Sequence, residues 1–158
     1  MKKYRPNAGV VVFNKDKLVL VCERLIGEEG KSWQFPQGGI EVNESAIETA
    51  QRELREETSI TSVKHVYTTP NAYLYDFPKD VLEMSRRKGR FNDGQVQMWS
   101  LFFFEGEDSE INLNTAEPEF KNWKWIKIEE AAKHVITFKQ EVYEEIIKEF
   151  KPIIENYR

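Results

Sequence analysis

The sequence has little cysteine, little histidine and no long apolar run. Its 158 residues include one cysteine, Cys22, and two histidines, too few to favour a histidine-based zinc site. A lone cysteine cannot form an intramolecular disulfide, and Cys22 ends an apolar run, so we expect a buried strand thiol rather than a nucleophile. No stretch approaches the ~20 apolar residues that a membrane-spanning helix needs. We therefore expect a cytoplasmic protein without a membrane span.

The chain also lacks a strong charge of either sign. Its formal net charge is −4, so no broad basic field exists for binding duplex DNA. Cations are concentrated only in a mostly polar stretch between Lys79 and Gly94, at Arg86, Arg87, Lys88 and Arg90. This cluster fits a solvated loop and a surface that neutralises RNA phosphates equally well. The length predicts one domain, residues 1–158.

What the chain does contain is a cluster of glutamates after Gly38 and Gly39. The segment GGIEVNESAIETAQRELREETSI places Glu53, Glu56 and Glu57 at helical offsets of three and four, so their carboxylates share one face. Such like charges repel unless a divalent cation neutralises them, and oxygen ligands favour Mg²⁺, or Mn²⁺ in its place, over zinc. The pattern indicates a metal site, although a solvated acidic helix is the plainer interpretation of these three residues alone.

The same segment predicts where the helix begins and how it docks. Ser45 and Glu48 have the spacing of a capping box, which places the N-terminus at Ser45. Arg52 precedes Glu56 by four residues and can neutralise part of the acidic face. An apolar stripe that can dock on a core is formed by Ile47, Ala50 and Leu54. We expect the acidic face to point sideways, away from that core.

The rest of the chain predicts strands and one further helix. A hairpin signal, Asn14-Lys15-Asp16, separates the first two strands. A C-terminal amphipathic helix is expected within residues 139–157, and Trp33, Trp123 and Trp125 are expected in the core. The predicted strands are 8–13, 17–22, 62–68, 72–77, 96–105 and 122–128. This order indicates an α/β domain.

The glutamate segment resembles the Nudix box, the signature of hydrolases that cleave nucleoside diphosphates linked to another moiety. Gly38, Glu44, Arg52, Glu53, Glu56 and Glu57 stand in the register of that box. One position departs, because Ser59 stands where the family usually has a glycine that ends the helix in left-handed geometry. The resemblance implies a mixed β-sheet sandwiched between α-helices, with the box at the active site.

A narrower resemblance covers most of the chain. The runs KYRPNAGVVVF, SWQFPQGGI, GQVQMW, EPEF, NWKW and TFKQEVY are similar to those of bacterial RNA pyrophosphohydrolases, also described as dinucleoside polyphosphate hydrolases. The resemblance implies catalytic roles for Arg52, Glu53, Glu56 and Glu57, and a metal site that adds Gly38 and Glu119. It also implies substrate binding by Arg5, Arg24, Phe138 and Lys139, with the ring of Phe138 stacked on a base.

The expected reaction is Mg²⁺-dependent conversion of a 5′-triphosphate or diphosphate RNA end to a monophosphate, which promotes RNA decay. Glu53 is the expected base, although members of the family differ in this residue. Two alternatives stay open: a dinucleoside polyphosphate or house-cleaning nucleotide hydrolase, and a module that binds nucleotides or RNA without catalysis. Phe138 as an ordinary core residue is an alternative to stacking.

Overall fold

The computed structural model describes residues 1–158 and contains eight strands and three α-helices. The helices are α1 (Ala46–Thr58), α2 (Lys79–Arg87) and α3 (Gln140–Glu155). The strands are β1 (Tyr4–Phe13), β2 (Val19–Arg24), β3 (Trp33–Gln34), β4 (Gln37–Gly39), β5 (Val63–Thr68), β6 (Tyr73–Asp76), β7 (Gly94–Phe104) and β8 (Phe120–Ile126). None of the helices combines the length and the apolar character that crossing a lipid bilayer demands.

All eight strands form one mixed sheet, whose main path runs β3-β2-β1-β7-β5. Strand β1 pairs in parallel with β7 over its full length, from Tyr4 opposite Gly94 to Phe13 opposite Phe103. Its other edge pairs antiparallel with β4 and then with β2. The central strand β1 is buried from Asn7 to Phe13. Near its start it pairs with β4, which contains Gly38 and Gly39.

The sheet is covered on both faces, because successive side chains of β1 point to opposite sides. Val11 and Phe13 pack with Tyr143, Ile146 and Phe150 of α3. On the other face, the core joins strands and α1 through Val10, Val12, Leu20, Cys22, Ala50 and Leu54. The predicted mixed sheet between helices is confirmed, as is the buried environment of Cys22.

Two local predictions hold only in part. The polar stretch that begins at Lys79 contains α2, a short helix with no buried residue, and its few apolar residues form too short a pattern to indicate a helix. The three tryptophans are only partly buried: Trp33 packs at the edge of the core beneath Lys124, whose Nζ lies 4.1 Å from the ring centre. Trp123 and Trp125 pack in the same partial way on the opposite face.

Candidate active site

The helix α1 begins and ends through side-chain hydrogen bonds. Ser45 Oγ accepts from the Glu48 backbone N–H at 3.1 Å, and Glu48 Oε1 accepts from the Ser45 N–H at 3.0 Å, so the predicted capping box is present. Ser59 ends the helix with φ of 68°, the left-handed geometry usually given to glycine. Its hydroxyl donates to the Asn112 carbonyl oxygen at 2.8 Å, which holds the serine in that conformation.

The sequence predicted that the acidic face of α1 points away from the core. The structure shows this for only part of the face. Glu56 is about half exposed, with 51% side-chain accessibility, whereas Glu57 is 8% exposed. Glu57 lies three residues after Leu54, so it borders the apolar stripe that docks on the sheet. Its Oε2 atom is buried and has no hydrogen-bond partner.

Arg52 organises the other carboxylates. Its guanidinium donates to Glu44 at 2.7 Å, to Glu53 at 2.9 Å and to Glu56 at 3.1 Å. It also donates to the Gly39 carbonyl oxygen at 3.1 Å, which ties α1 to β4. The Arg52 hydrogen bond, with a second bond from Thr49, lowers the pKa of Glu44 to about 2. Glu44 therefore serves as an anchor for Arg52.

Gly38 and Gly39 provide space for two charged side chains. A Cβ atom on Gly38 would lie 2.1 Å from the carboxyl carbon of Glu53, and one on Gly39 would lie 2.2 Å from an Arg5 guanidinium nitrogen. Both contacts are far inside van der Waals distance, so neither position accepts a larger residue without displacing the charge. This close approach places Glu53 against β4.

Burial and nearby negative charge raise the pKa of two carboxylates, Glu53 and Glu57. Burial, with the nearby negative charges of Glu53 and Glu119, raises the pKa of Glu57 from 4.5 to about 9. Burial also raises the pKa of Glu53, against the opposing effect of Arg52. A cation would relieve both penalties, and the unpaired Glu57 oxygen and the oxygen-only donors fit a hard divalent ion. In their present rotamers, no three acidic or histidine side chains lie close enough together to coordinate one metal ion. Two of the carboxylates, those of Glu53 and Glu56, form ion pairs with Arg52 instead.

Two grooves meet at this cluster. One, with a volume of about 510 Å³, contains Glu53, Glu57 and Glu119 together with all four residues expected to bind substrate, Arg5, Arg24, Phe138 and Lys139. The other, of about 650 Å³, is acidic and is lined by Glu53, Glu56, Glu57 and Glu119. We call the first the mixed-charge groove. Three carboxylates are common to both grooves.

Phe138 forms an aromatic wall in the mixed-charge groove. Its ring centre lies 5.6 Å from that of Tyr75 and 6.3 Å from that of Phe77, and one side of the ring packs on the core. Phe138 is therefore partly buried and also faces the groove. Next to it, burial and the positive charge of Arg24 lower the pKa of Lys139 to about 8.

Several groove residues were not identified from the sequence. Phe77 lies in a segment predicted only as a strand, and nothing in its local pattern distinguishes it from a core aromatic. On α2, Val81, Met84 and Ser85 lie on one helical face, but only two of the three are apolar, which is too short a pattern to indicate a groove. Lys88 and Arg90, which follow the helix, belong to the basic cluster noted in the sequence.

Comparison with known proteins agrees with this geometry. Residues 3–150 match the model of the NUDIX domain. The chain is 40% identical over 162 residues to an RNA pyrophosphohydrolase of Bartonella bacilliformis, covering 96% of this chain and 94% of that protein. It is also 40% identical to the chloroplastic Nudix hydrolase 27 of Arabidopsis thaliana, covering 94% of this chain and 66% of that longer protein.

Among solved structures, the dihydroneopterin triphosphate pyrophosphohydrolase of E. coli has the same fold. It superposes with a TM-score of 0.69 at 20% identity, and the match covers 94% of this chain and 99% of that one. The family match spans the capped helix, the glycine pair and the carboxylate cluster described above, and the chain belongs to the Nudix family.

Proposed function

We propose that the protein is a Nudix phosphoanhydride hydrolase that converts 5′-triphosphate or diphosphate RNA ends to monophosphate ends. The observation that carries this proposal is the mixed-charge groove, where cations and an aromatic wall stand beside carboxylates. The name of the Bartonella bacilliformis relative supports RNA as the substrate class. One water is consumed, and one of the two P–O bonds of the oxygen that bridges the α- and β-phosphates is broken, so a triphosphate end releases pyrophosphate and a diphosphate end releases phosphate.

We assign Glu53, Glu56, Glu57 and Glu119 as ligands for Mg²⁺, with the Gly38 backbone beside them. When bound, the ion would offset negative charge on the phosphates and lower the pKa of a coordinated water. Carboxylate oxygens suit Mg²⁺, and Mn²⁺ is the expected substitute.

The chain's own residues then divide the remaining work. Glu53 is the proposed base, as the resemblance to the Nudix family implies, and its position against Gly38 and Arg52 places its carboxylate in the groove. Arg52 has a catalytic role as the group that fixes Glu53 and Glu56 relative to β4. Its ion pairs must loosen when the carboxylates turn toward a cation.

The substrate is held on the other side of the carboxylates. Arg5, Arg24 and Lys139 supply charge-assisted hydrogen bonds to phosphate oxygens. Phe138 offers a fixed ring for the base to stack upon, worth ~1 to 3 kcal/mol. The pKa of Lys139 is lowered to about 8, and a bound phosphate would raise it again because a nearby negative charge favours the ammonium.

The test is a rate comparison with Mg²⁺ on triphosphorylated RNA, diphosphorylated RNA and diadenosine tetraphosphate. Faster release of pyrophosphate or phosphate from RNA supports the proposal. A preference for diadenosine tetraphosphate would identify a dinucleoside polyphosphate hydrolase with the same carboxylates. Binding without turnover on any substrate would identify a module that only binds nucleotides.

A further inference from the structure

One face of α2 lines the mixed-charge groove although no residue of the helix is buried. Val81, Met84 and Ser85 lie on this face, and Lys88 follows one turn later. Met84 is 59% exposed. With Arg90, these residues form what we call the α2 wall. Val81 is partly buried, and neither Val81 nor Met84 belongs to the two core clusters, so this face has the character of a surface that a ligand covers.

The basic cluster on this segment is divided between two tasks. Arg86 donates to Asp93 at 2.9 Å and to the Asn92 carbonyl oxygen at 3.0 Å, so it holds the turn after α2. Asp93 in turn accepts from the Lys3 backbone N–H at 2.7 Å, which ties this turn to the start of β1. Lys88 and Arg90 line the groove, and neither forms an ion pair.

The hydrogen bonds of Asp93 tie the turn after α2 to the start of β1, the strand that carries another cation of the groove. Arg5 follows Lys3 by two residues on β1, and it lies over Gly39 in the same groove. The groove is therefore lined by cations from separate parts of the chain, Arg5 on β1 and Lys88 and Arg90 after α2, together with the carboxylates. Such a lining favours an anionic ligand that is long enough to contact cations of both segments.

We propose that the α2 wall is a subsite for the part of a single-stranded RNA that follows the 5′ nucleotide. The inference rests on the proposed function and adds the determinant that separates a polynucleotide from a free nucleotide. Val81 and Met84 contact the face of a downstream base, and Lys88 and Arg90 neutralise the backbone phosphates of that segment. A mononucleotide ends before it reaches them.

The experiment compares the variant Lys88→Ala/Arg90→Ala with the control Lys79→Ala/Arg87→Ala. The control removes two exposed cations from the same segment, and neither lines the groove. For each protein, kcat/KM is measured on an unpaired triphosphorylated RNA and on ATP across a salt series. Melting temperatures establish that all variants are folded.

The expected result is a loss of kcat/KM on RNA of roughly tenfold or more in the Lys88 and Arg90 variant, at least tenfold beyond its loss on ATP. For RNA, the negative slope of log kcat/KM against log salt should become shallower by about 1.4 in this variant, since each single-strand phosphate contact contributes about 0.7. The control should stay within about twofold of the wild type on both substrates. Met84→Glu, which places a negative charge on the wall, should repeat the selective loss on RNA.

Other outcomes overturn the inference in distinguishable ways. Equal losses on RNA and ATP would mean that these cations serve the first nucleotide, and losses no larger than those of the control would mean that the wall is idle. A wild-type protein that cleaves ATP but not RNA would refute the proposed function before any variant is compared. If the double variant does not fold, Met84→Glu alone decides.

Discussion

At the scale of single residues, Glu53 is the side chain on which most of the site converges. It accepts from Arg52, lies against Gly38 and feels the charges of Glu56 and Glu119. We expect Glu53→Gln to lower kcat by roughly 10²- to 10⁴-fold, since it removes both a ligand and the proposed base. Steady-state rates at saturating Mg²⁺ measure this.

The control is Glu144→Gln, which removes an exposed carboxylate of α3 and should leave kcat and folding unchanged. Glu53→Gln should fold as the wild type does, because it also relieves repulsion on α1. Near-normal turnover of Glu53→Gln would remove Glu53 as the base. Near-normal turnover of Glu56→Gln as well would remove the metal site.

Glu57 makes the stability of the metal-free protein depend on pH. Its folded-state pKa of about 9 exceeds the ordinary 4.5, so between these values the folded state holds a proton that the unfolded state has lost. The contribution of Glu57 to the free energy of unfolding is therefore fully present below about pH 4.5. It is lost progressively as the pH rises toward 9. Glu57→Gln should flatten this dependence.

Thermal melts in a chelator at several pH values measure the effect. Relief of about 2 kcal/mol would raise the melting temperature of Glu57→Gln at pH 9 by about 4–8 °C. Added Mg²⁺ should stabilise the wild type most at high pH, where the carboxylate is ready to bind it. Parallel pH dependences for the two proteins would contradict the proton on Glu57.

At the scale of elements, the end of α1 combines strain with a compensating bond. Left-handed geometry costs a residue other than glycine on the order of 1 kcal/mol, and the hydrogen bond from Ser59 to Asn112 contributes about as much. We expect Ser59→Gly to be nearly neutral, because it loses both terms. Ser59→Ala keeps the strain without the bond and should lose about 1 kcal/mol of unfolding free energy.

Urea unfolding of both variants gives the comparison, with Ser109→Ala, an exposed serine, as the control. If Ser59→Ala were as stable as the wild type, the hydrogen bond to Asn112 would carry no weight. If Ser59→Gly were far more stable than the wild type, the strain would be the only term that matters.

The elements also differ in how far the sequence predicts them. The start of α1 was predictable because a capping box is a local pattern. The buried face of this helix was predictable from the spacing of Ala50 and Leu54. The burial of Glu57 was not, since it depends on how deeply α1 sits on the sheet. Nor was the convergence of Arg5, Arg24 and Lys139 a local property, because three elements far apart in sequence meet there only after folding. Their assignment depended on family resemblance.

At the scale of the whole molecule, the groove predicts a preference for an RNA end that is free. Stacked and paired bases cannot reach Phe138, so pairing the first two nucleotides into a blunt duplex should lower kcat/KM by roughly tenfold or more. Competition assays with matched free-ended and blunt RNAs measure this. Added salt should slow the RNA reaction more than hydrolysis of ATP, because a longer anion makes more phosphate contacts.

The matched pair of RNAs differs only in a complementary strand, so sequence preference is held constant. Equal rates on free and blunt ends would contradict the stacking site. An equal effect of salt on RNA and ATP would contradict contacts beyond the first nucleotide.

The length of β1 separates the two ends of the chain. Arg5 lies at the groove, while Tyr157 packs on Phe13, eight residues along the same strand and about 25 Å away. Lys2 and Lys3 are held by Asp76 and Asp93 beside the groove. A purification tag or surface-coupling group on the N-terminus would crowd arriving RNA, whereas one on Arg158 would leave the entrance clear. For affinity measurements on a sensor surface, the protein should be immobilised by its C-terminus.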